Sequence, residues 1–149
     1  MSAASALTER AEFLIECLDL PAAAGVPSAR WEPFQIALLC DDGLFRIDRK
    51  SRQIAWSFTA AAEAIADAIL AGRDSVFVSI QQEEAAEKIR YAKSVYEHLQ
   101  IAGLPTIKRD SVFGIELSTG ARLSSLPSRP PRGRARSNLY FDEFAHIAN

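Results

Sequence analysis

Two segments of this 149-residue chain carry residues whose types and spacing suit phosphate chemistry. The first is Lys50-Ser51-Arg52-Gln53-Ile54-Ala55-Trp56-Ser57. It falls in the frame of a phosphate-binding loop, G-x-x-x-x-G-K-[ST], and departs from its letters. Ser57 takes the last position and Ala55 the second glycine, while Lys50 stands at the first glycine and Trp56 at the lysine. Backbone N–H groups and a helix N-terminus supply most of such an anion cradle. Lys50, entering from the start of the loop, would reach the same phosphates, and Ser57 would offer its hydroxyl to Mg²⁺. The plainer alternative is an ordinary basic loop between a strand and a helix.

The second segment is Leu139-Tyr140-Phe141-Asp142-Glu143. An apolar run ending in two acids sets a pair of carboxylates at the end of a buried strand. Asp142 would hold Mg²⁺ through water, and Glu143 would orient and deprotonate an attacking water. An acidic pair after an apolar run also arises by chance. The separation of the two segments fits three strands of one sheet, and together they point to nucleotide hydrolysis.

The elements that must position these groups are legible in the apolar pattern. Leu7, Ala11, Leu14, Ile15 and Leu18 have near-helical spacing, and Pro21 with the run Ala22–Pro27 is expected to end that helix. Trp31–Cys40 reads as a second helix with Pro33 in its first turn. Gly43–Asp48 reads as a strand, and Ala55–Ala71 as a helix with Phe58, Ala62, Ile65 and Ile69 on its buried face. Glu63 and Asp67 are expected off that face, and Gly72 is expected to stop the helix.

Asp74–Ile80 suits a buried parallel strand. Ser79 and Gln82 have the spacing of a capping box for a helix over Gln82–Gln100, whose buried stripe is Ala85, Ile89, Ala92, Val95 and Leu99. Strands near Val112–Leu117 and Arg122–Ser125 flank a turn at Ser118-Thr119-Gly120, and a last strand covers Asn138–Phe141. Alternating strands and helices predict an α/β fold, a mostly parallel sheet flanked by helices, with ligands at the carboxyl ends of its strands.

Composition agrees with a folded domain. Apolar residues make up 48% and charged residues 24%, which excludes wholesale disorder. Cys17 and Cys40 are the only cysteines and form no CxxC, so a disulfide scaffold is excluded and a reducing compartment is expected. No signal peptide is visible in Met1–Arg10, and the apolar stretch Ile54–Leu70 is broken by Glu63 and Asp67, so no membrane partner is expected. The net charge of −2 hides a block without acids between Glu116 and Asp142, which holds Arg122, Arg129, Arg132, Arg134 and Arg136. Such a block is either a solvated loop or a contact for phosphate.

Taken in order, Trp31-Glu32-Pro33-Phe34-Gln35, the Lys50–Ser57 loop with its Ser-Arg-Gln core, the hairpin at Gly114–Leu126, Arg132-Gly133 and Leu139–Ala145 resemble the ATPase domain of the phage terminase large subunit, the motor that packages viral DNA. The likeness covers roughly residues 31–149. It implies a P-loop NTPase-like fold of the ASCE type, incomplete here. Residues 1–30 would form an N-terminal helix and linker, and residues 31–149 a partial ATPase domain ending just after the Walker B motif.

By the same resemblance the cofactors would be ATP and Mg²⁺, with residues 50–57 around the phosphates, Gln35 on the adenine ring and Ser57 with Asp142 in the Mg²⁺ shell. Glu143 would be the general base. Arg52 would act on the γ-phosphate as a sensor or finger, in cis or from a neighbouring subunit. Arg132 and Arg134 would contact DNA or a neighbouring subunit. The implied partners are double-stranded DNA, a portal protein and a small terminase subunit, in a homo-oligomeric ring within a bacterial host's cytoplasm.

This chain departs from the family at Ala55, which adds a Cβ near the phosphates, and at Trp56. By the same resemblance a coupling motif, a lid and a nuclease would follow Glu143, more than the six residues after it can hold, and His146 is expected to be structural. Two other readings stand beside the motor. One is a truncated prophage remnant with the same fold and no ATPase activity. The other is a nucleic-acid-binding module built on the arginine loop.

Overall fold

In the computed structural model, residues 8–41, 55–79, 81–127 and 137–141 are described. They form an α/β fold with a mixed five-stranded sheet. Three helices come first: α1 (Glu9–Cys17), α2 (Leu20–Ala24) and α3 (Pro33–Cys40). The long helix α4 (Ala55–Ala71) then leads into β1 (Asp74–Ser79), and α5 (Gln82–Glu97) follows. The chain continues through β2 (Ile107–Ser111), β3 (Gly114–Leu117), β4 (Arg122–Pro127) and β5 (Ser137–Phe141).

The strand order is β2-β3-β4-β1-β5. β1 lies between β4 and β5 and is parallel to both, with Val76 opposite Ser124 and Leu139. β3 is antiparallel to β2 and β4. The sheet is therefore parallel where β5 joins it and antiparallel at the β2 hairpin. Of the strand expected over Val112–Leu117, Val112 and Phe113 are a turn and Gly114–Leu117 is β3, while β2 precedes that span at Ile107–Ser111. β2 carries Lys108, Arg109 and Asp110, all exposed, so no apolar alternation marks it. Gly120, at φ +94°, closes the β3–β4 turn in a conformation that favours glycine.

Helix ends follow local chemistry. Thr8 caps α1 by accepting from the Ala11 N–H, and Gly72 follows α4 at φ +66°. Pro21 sits at the start of α2 rather than ending a helix, because a first-turn proline lacks only an N–H that would have no partner. Ser79 does not cap α5. It is the last residue of β1, and the N-cap is Gln81, with no side-chain cap bond.

The core lies between α4 and α5 and the sheet face bearing Phe77, Leu123, Ile115 and Leu117. Phe77 stacks on Tyr140 with ring centroids 4.9 Å apart. Val76 and Val78, which alternate with Phe77 along β1, are buried as well. α1 and α3 pack against α4, and α2 against α5. Ala11, Leu14 and Leu39 are fully buried, so the N-terminal helices share the core. Among the described residues, no helix is long and apolar enough to cross a membrane.

Candidate functional site

Topology sets which chain ends meet. α4 reaches β1 through a short turn at Gly72 and Arg73, so helix and strand run in opposite senses. The first turn of α4 therefore stands at the carboxyl edge of β1. β5 is parallel to β1 and ends at Phe141, opposite Val78, at that same edge. Asp142 follows Phe141 directly in the chain.

Ala55 is the first residue of α4. Ser57, within the first turn, is buried. Trp56 is half-buried and packs against the core. Gln35 is buried on α3. Its Oε1 accepts from the Glu32 N–H at 2.8 Å, and its Nε2 donates to Thr59 Oγ1 of α4 at 2.9 Å. Trp31 also approaches Phe58, with ring centroids 6.4 Å apart. The structure thus brings Gln35, Trp56 and Ser57 to one end of one helix. Gln35 spends both ends of its amide within the fold, fastening α3 to α4.

Lys50, Ser51, Arg52, Gln53 and Ile54 lie outside the described residues, as do the predicted strand at 43–48, Arg129, Arg132, Arg134, Arg136, Asp142, Glu143 and His146. Among the described residues, no group of three or more His, Cys, Asp or Glu is placed to hold a metal ion. Ser57 is the one described residue of the predicted Mg²⁺ shell.

Glu63 and Asp67 are not off the buried face of α4. They are 3% and 7% exposed, because a polar cluster receives them. Arg10 of α1 lies 3.3 Å from Glu63 and 3.4 Å from Asp67. Its Nε donates to the Leu39 carbonyl at 2.7 Å and its Nη2 to the Asp41 carbonyl at 2.5 Å. From β5, the Tyr140 hydroxyl donates to Glu63 Oε1 at 2.7 Å, and Asn138 Nδ2 donates to Asp67 Oδ2 at 2.7 Å. Buried charges persist where they are paired and hydrogen-bonded in this way. The sequence signal was two acids four apart inside an otherwise apolar helix, which puts both on one face.

Lys88 is a second residue not anticipated. It is 1% exposed and interrupts the buried stripe of α5 between Ala85 and Ile89. Nearby, Tyr91 meets Phe58 edge-on at 5.9 Å. Burial raises the Tyr91 pKa, and Glu87 adds to the shift through its charge and a hydrogen bond.

No protein-family model matches the chain, and no curated protein matches it either.

Proposed function

We propose that this chain is the ATPase portion of a DNA-packaging motor of the terminase large-subunit kind, with a P-loop NTPase-like sheet that binds Mg-ATP. The observation that carries the reading is the parallel pairing of β5 with β1, the strand that follows α4. It sets the N-terminus of α4 and the chain leading into Asp142 and Glu143 at one edge of the sheet. A helix N-terminus favours an anion there, and two carboxylates after a neighbouring strand suit a metal and an attacking water.

In this reading Lys50 and the loop backbone of residues 51–56 bind the phosphates. Ser57 and Asp142 would hold Mg²⁺, which neutralises phosphate charge when bound. Glu143 takes a proton from the attacking water, and Arg52 meets charge on the γ-phosphoryl oxygens. Gln35 acts at the adenine end by fixing α3 against α4, in keeping with its hydrogen bond to Thr59. Arg132 and Arg134 are assigned to DNA phosphate or a neighbouring subunit, and the portal protein and small subunit remain the implied partners.

The test is hydrolysis by the wild type beside Glu143→Gln. Loss of turnover with Mg-ATP binding retained supports the assignment of Glu143. Equal turnover in the two proteins refutes it.

A second reading has one observation in its favour. Trp56 stands at the position of the loop lysine and packs into the core. A chain of this fold that binds nucleotide without hydrolysing it would show binding in both proteins and turnover in neither.

A further inference from the structure

We propose that Tyr140 and Asn138 are positioning residues, which hold the end of β5 at a set height along α4 and so place the carboxylates of Asp142 and Glu143 for their work on metal and water. This role rests on the nucleotide reading of that sheet edge and deepens it. Phe141 is the last residue of β5 and Asp142 is bonded to it, so the first carboxylate follows wherever the strand sits.

Two side-chain bonds join the strand to the helix. The Tyr140 hydroxyl donates to Glu63 Oε1 at 2.7 Å, and Asn138 Nδ2 donates to Asp67 Oδ2 at 2.7 Å. Asn138 and Tyr140 are two apart on one face of β5, a step of about 6.7 Å. Glu63 and Asp67 are four apart on α4, a step of about 6 Å. The steps match, and the helix runs opposite to the strand, so both bonds form together at one relative height. A slide of α4 along β5 breaks both.

Apolar contact holds that height loosely. α4 packs through Ala60, Ala61, Ala62, Ala64, Ala66 and Ala68, all buried. Between Phe58 and Ile69 its one large apolar side chain is Ile65. Alanine ridges are shallow and interdigitate little with a facing surface, and hydrophobic burial is non-directional. The backbone ladder of β5 on β1 fixes strand to strand, not helix to strand.

The cluster also carries more charge than fold stability calls for. Glu63 and Asp67 are both buried, and Arg10 of α1 holds both carboxylates, 3.3 Å from Glu63 Oε2 and 3.4 Å from Asp67 Oδ2. Well-packed apolar residues in place of a buried ion triad are often neutral or stabilising, and the best-attested use of such a group is to fix a register. Here Arg10 fixes the two carboxylates, and the carboxylates fix the strand. Support of this kind, one layer behind the reacting groups, is what holds a site to its working geometry.

The experiment measures Mg-ATP turnover by the full chain and by Tyr140→Phe, Asn138→Ala, the double variant and Glu63→Gln, each at a temperature where its circular dichroism is that of the folded protein. Phosphate binding is left to residues 50–57, while Glu143 acts only on the attacking water, so the loss is expected in kcat rather than KM. The double variant is expected to lose about tenfold or more in kcat, and each single variant less, with KM for ATP within about twofold of the wild type. Glu63→Gln keeps an acceptor for the Tyr140 hydroxyl and is expected to stay near the wild type. A merely structural role lowers the melting temperature and leaves kcat of the folded protein unchanged. That result in the double variant, or in Tyr140→Phe if the double variant does not fold, overturns the proposal and leaves the nucleotide reading intact. In a wild type that binds Mg-ATP without turnover, the readout is the Mg²⁺ dependence of binding. Its loss in the double variant supports the role through Asp142, and its retention overturns that role. A wild type that binds no Mg-ATP refutes both the role and the nucleotide reading.

Discussion

The Tyr140 hydroxyl donates a 2.7 Å hydrogen bond to the Glu63 carboxylate, which ties the strand leading into Asp142 to the helix whose first turn holds Ser57. Both residues are buried, so the bond is made where water does not compete. Tyr140→Phe removes the donor and leaves the stacking on Phe77 in place. Hydrogen bonds to charged groups contribute about 1.5–3 kcal/mol, and a loss in that range is expected on urea unfolding. A loss below a few tenths would mean that Glu63 is fully satisfied without the tyrosine.

Arg10 is the hub of the same cluster. Arg10→Met leaves Glu63 and Asp67 buried and facing each other across one turn without their guanidinium. Breaking a buried pair from one side costs about 3–5 kcal/mol. Adding Glu63→Gln and Asp67→Asn to Arg10→Met is expected to recover most of that loss, since the amides carry no charge to bury. Urea midpoints of the single and triple variants check this, and a triple variant less stable than the single one would contradict it.

Long-range contacts of this kind leave no local trace in the sequence. The boundaries of α4 are legible because an alanine-rich run without glycine or proline ends at Gly72, where the backbone turns left-handed. β1 and β5 were legible as apolar runs bounded by polar residues. Glu63 and Asp67 were misplaced because helical periodicity assigns acids to the solvent side, and only the distant Arg10, Asn138 and Tyr140 reverse that. β2 was missed because its side chains are mostly exposed, leaving no alternation to see. The spacing of Ser79 to Gln82 suits a cap, while the strand pairing of β1 runs through Ser79. Within the candidate site, the motif points Gln35 to an adenine ring, and the structure fastens it to Thr59 of α4. That bond is not legible in the sequence, because it spans 24 positions.

Alkaline stability tests the environment of Tyr91. Its pKa is raised, first by burial and then by Glu87, so the fold favours the neutral phenol. That contribution is fully present below the unfolded phenol value, about 10, and is lost as pH rises through the folded value. Melting temperatures from neutral to strongly alkaline pH are expected to fall more steeply above that point in the wild type than in Tyr91→Phe. Parallel curves would contradict the assignment.

The arginine block gives a separate expectation. If Arg132 and Arg134 meet DNA phosphates, double-stranded DNA is retained at low salt, and the double Arg→Ala variant weakens retention and flattens its salt dependence by about two phosphate contacts. An unchanged salt slope assigns these arginines to something other than DNA.

The most direct test of the account is Mg-ATP binding by the wild-type chain, measured by calorimetry with and without Mg²⁺, beside Lys50→Ala and Asp142→Ala. The account predicts Mg²⁺-dependent binding in the wild type, weakened in Lys50→Ala, with the Mg²⁺ dependence lost in Asp142→Ala. A folded wild-type chain that binds no Mg-ATP would contradict it.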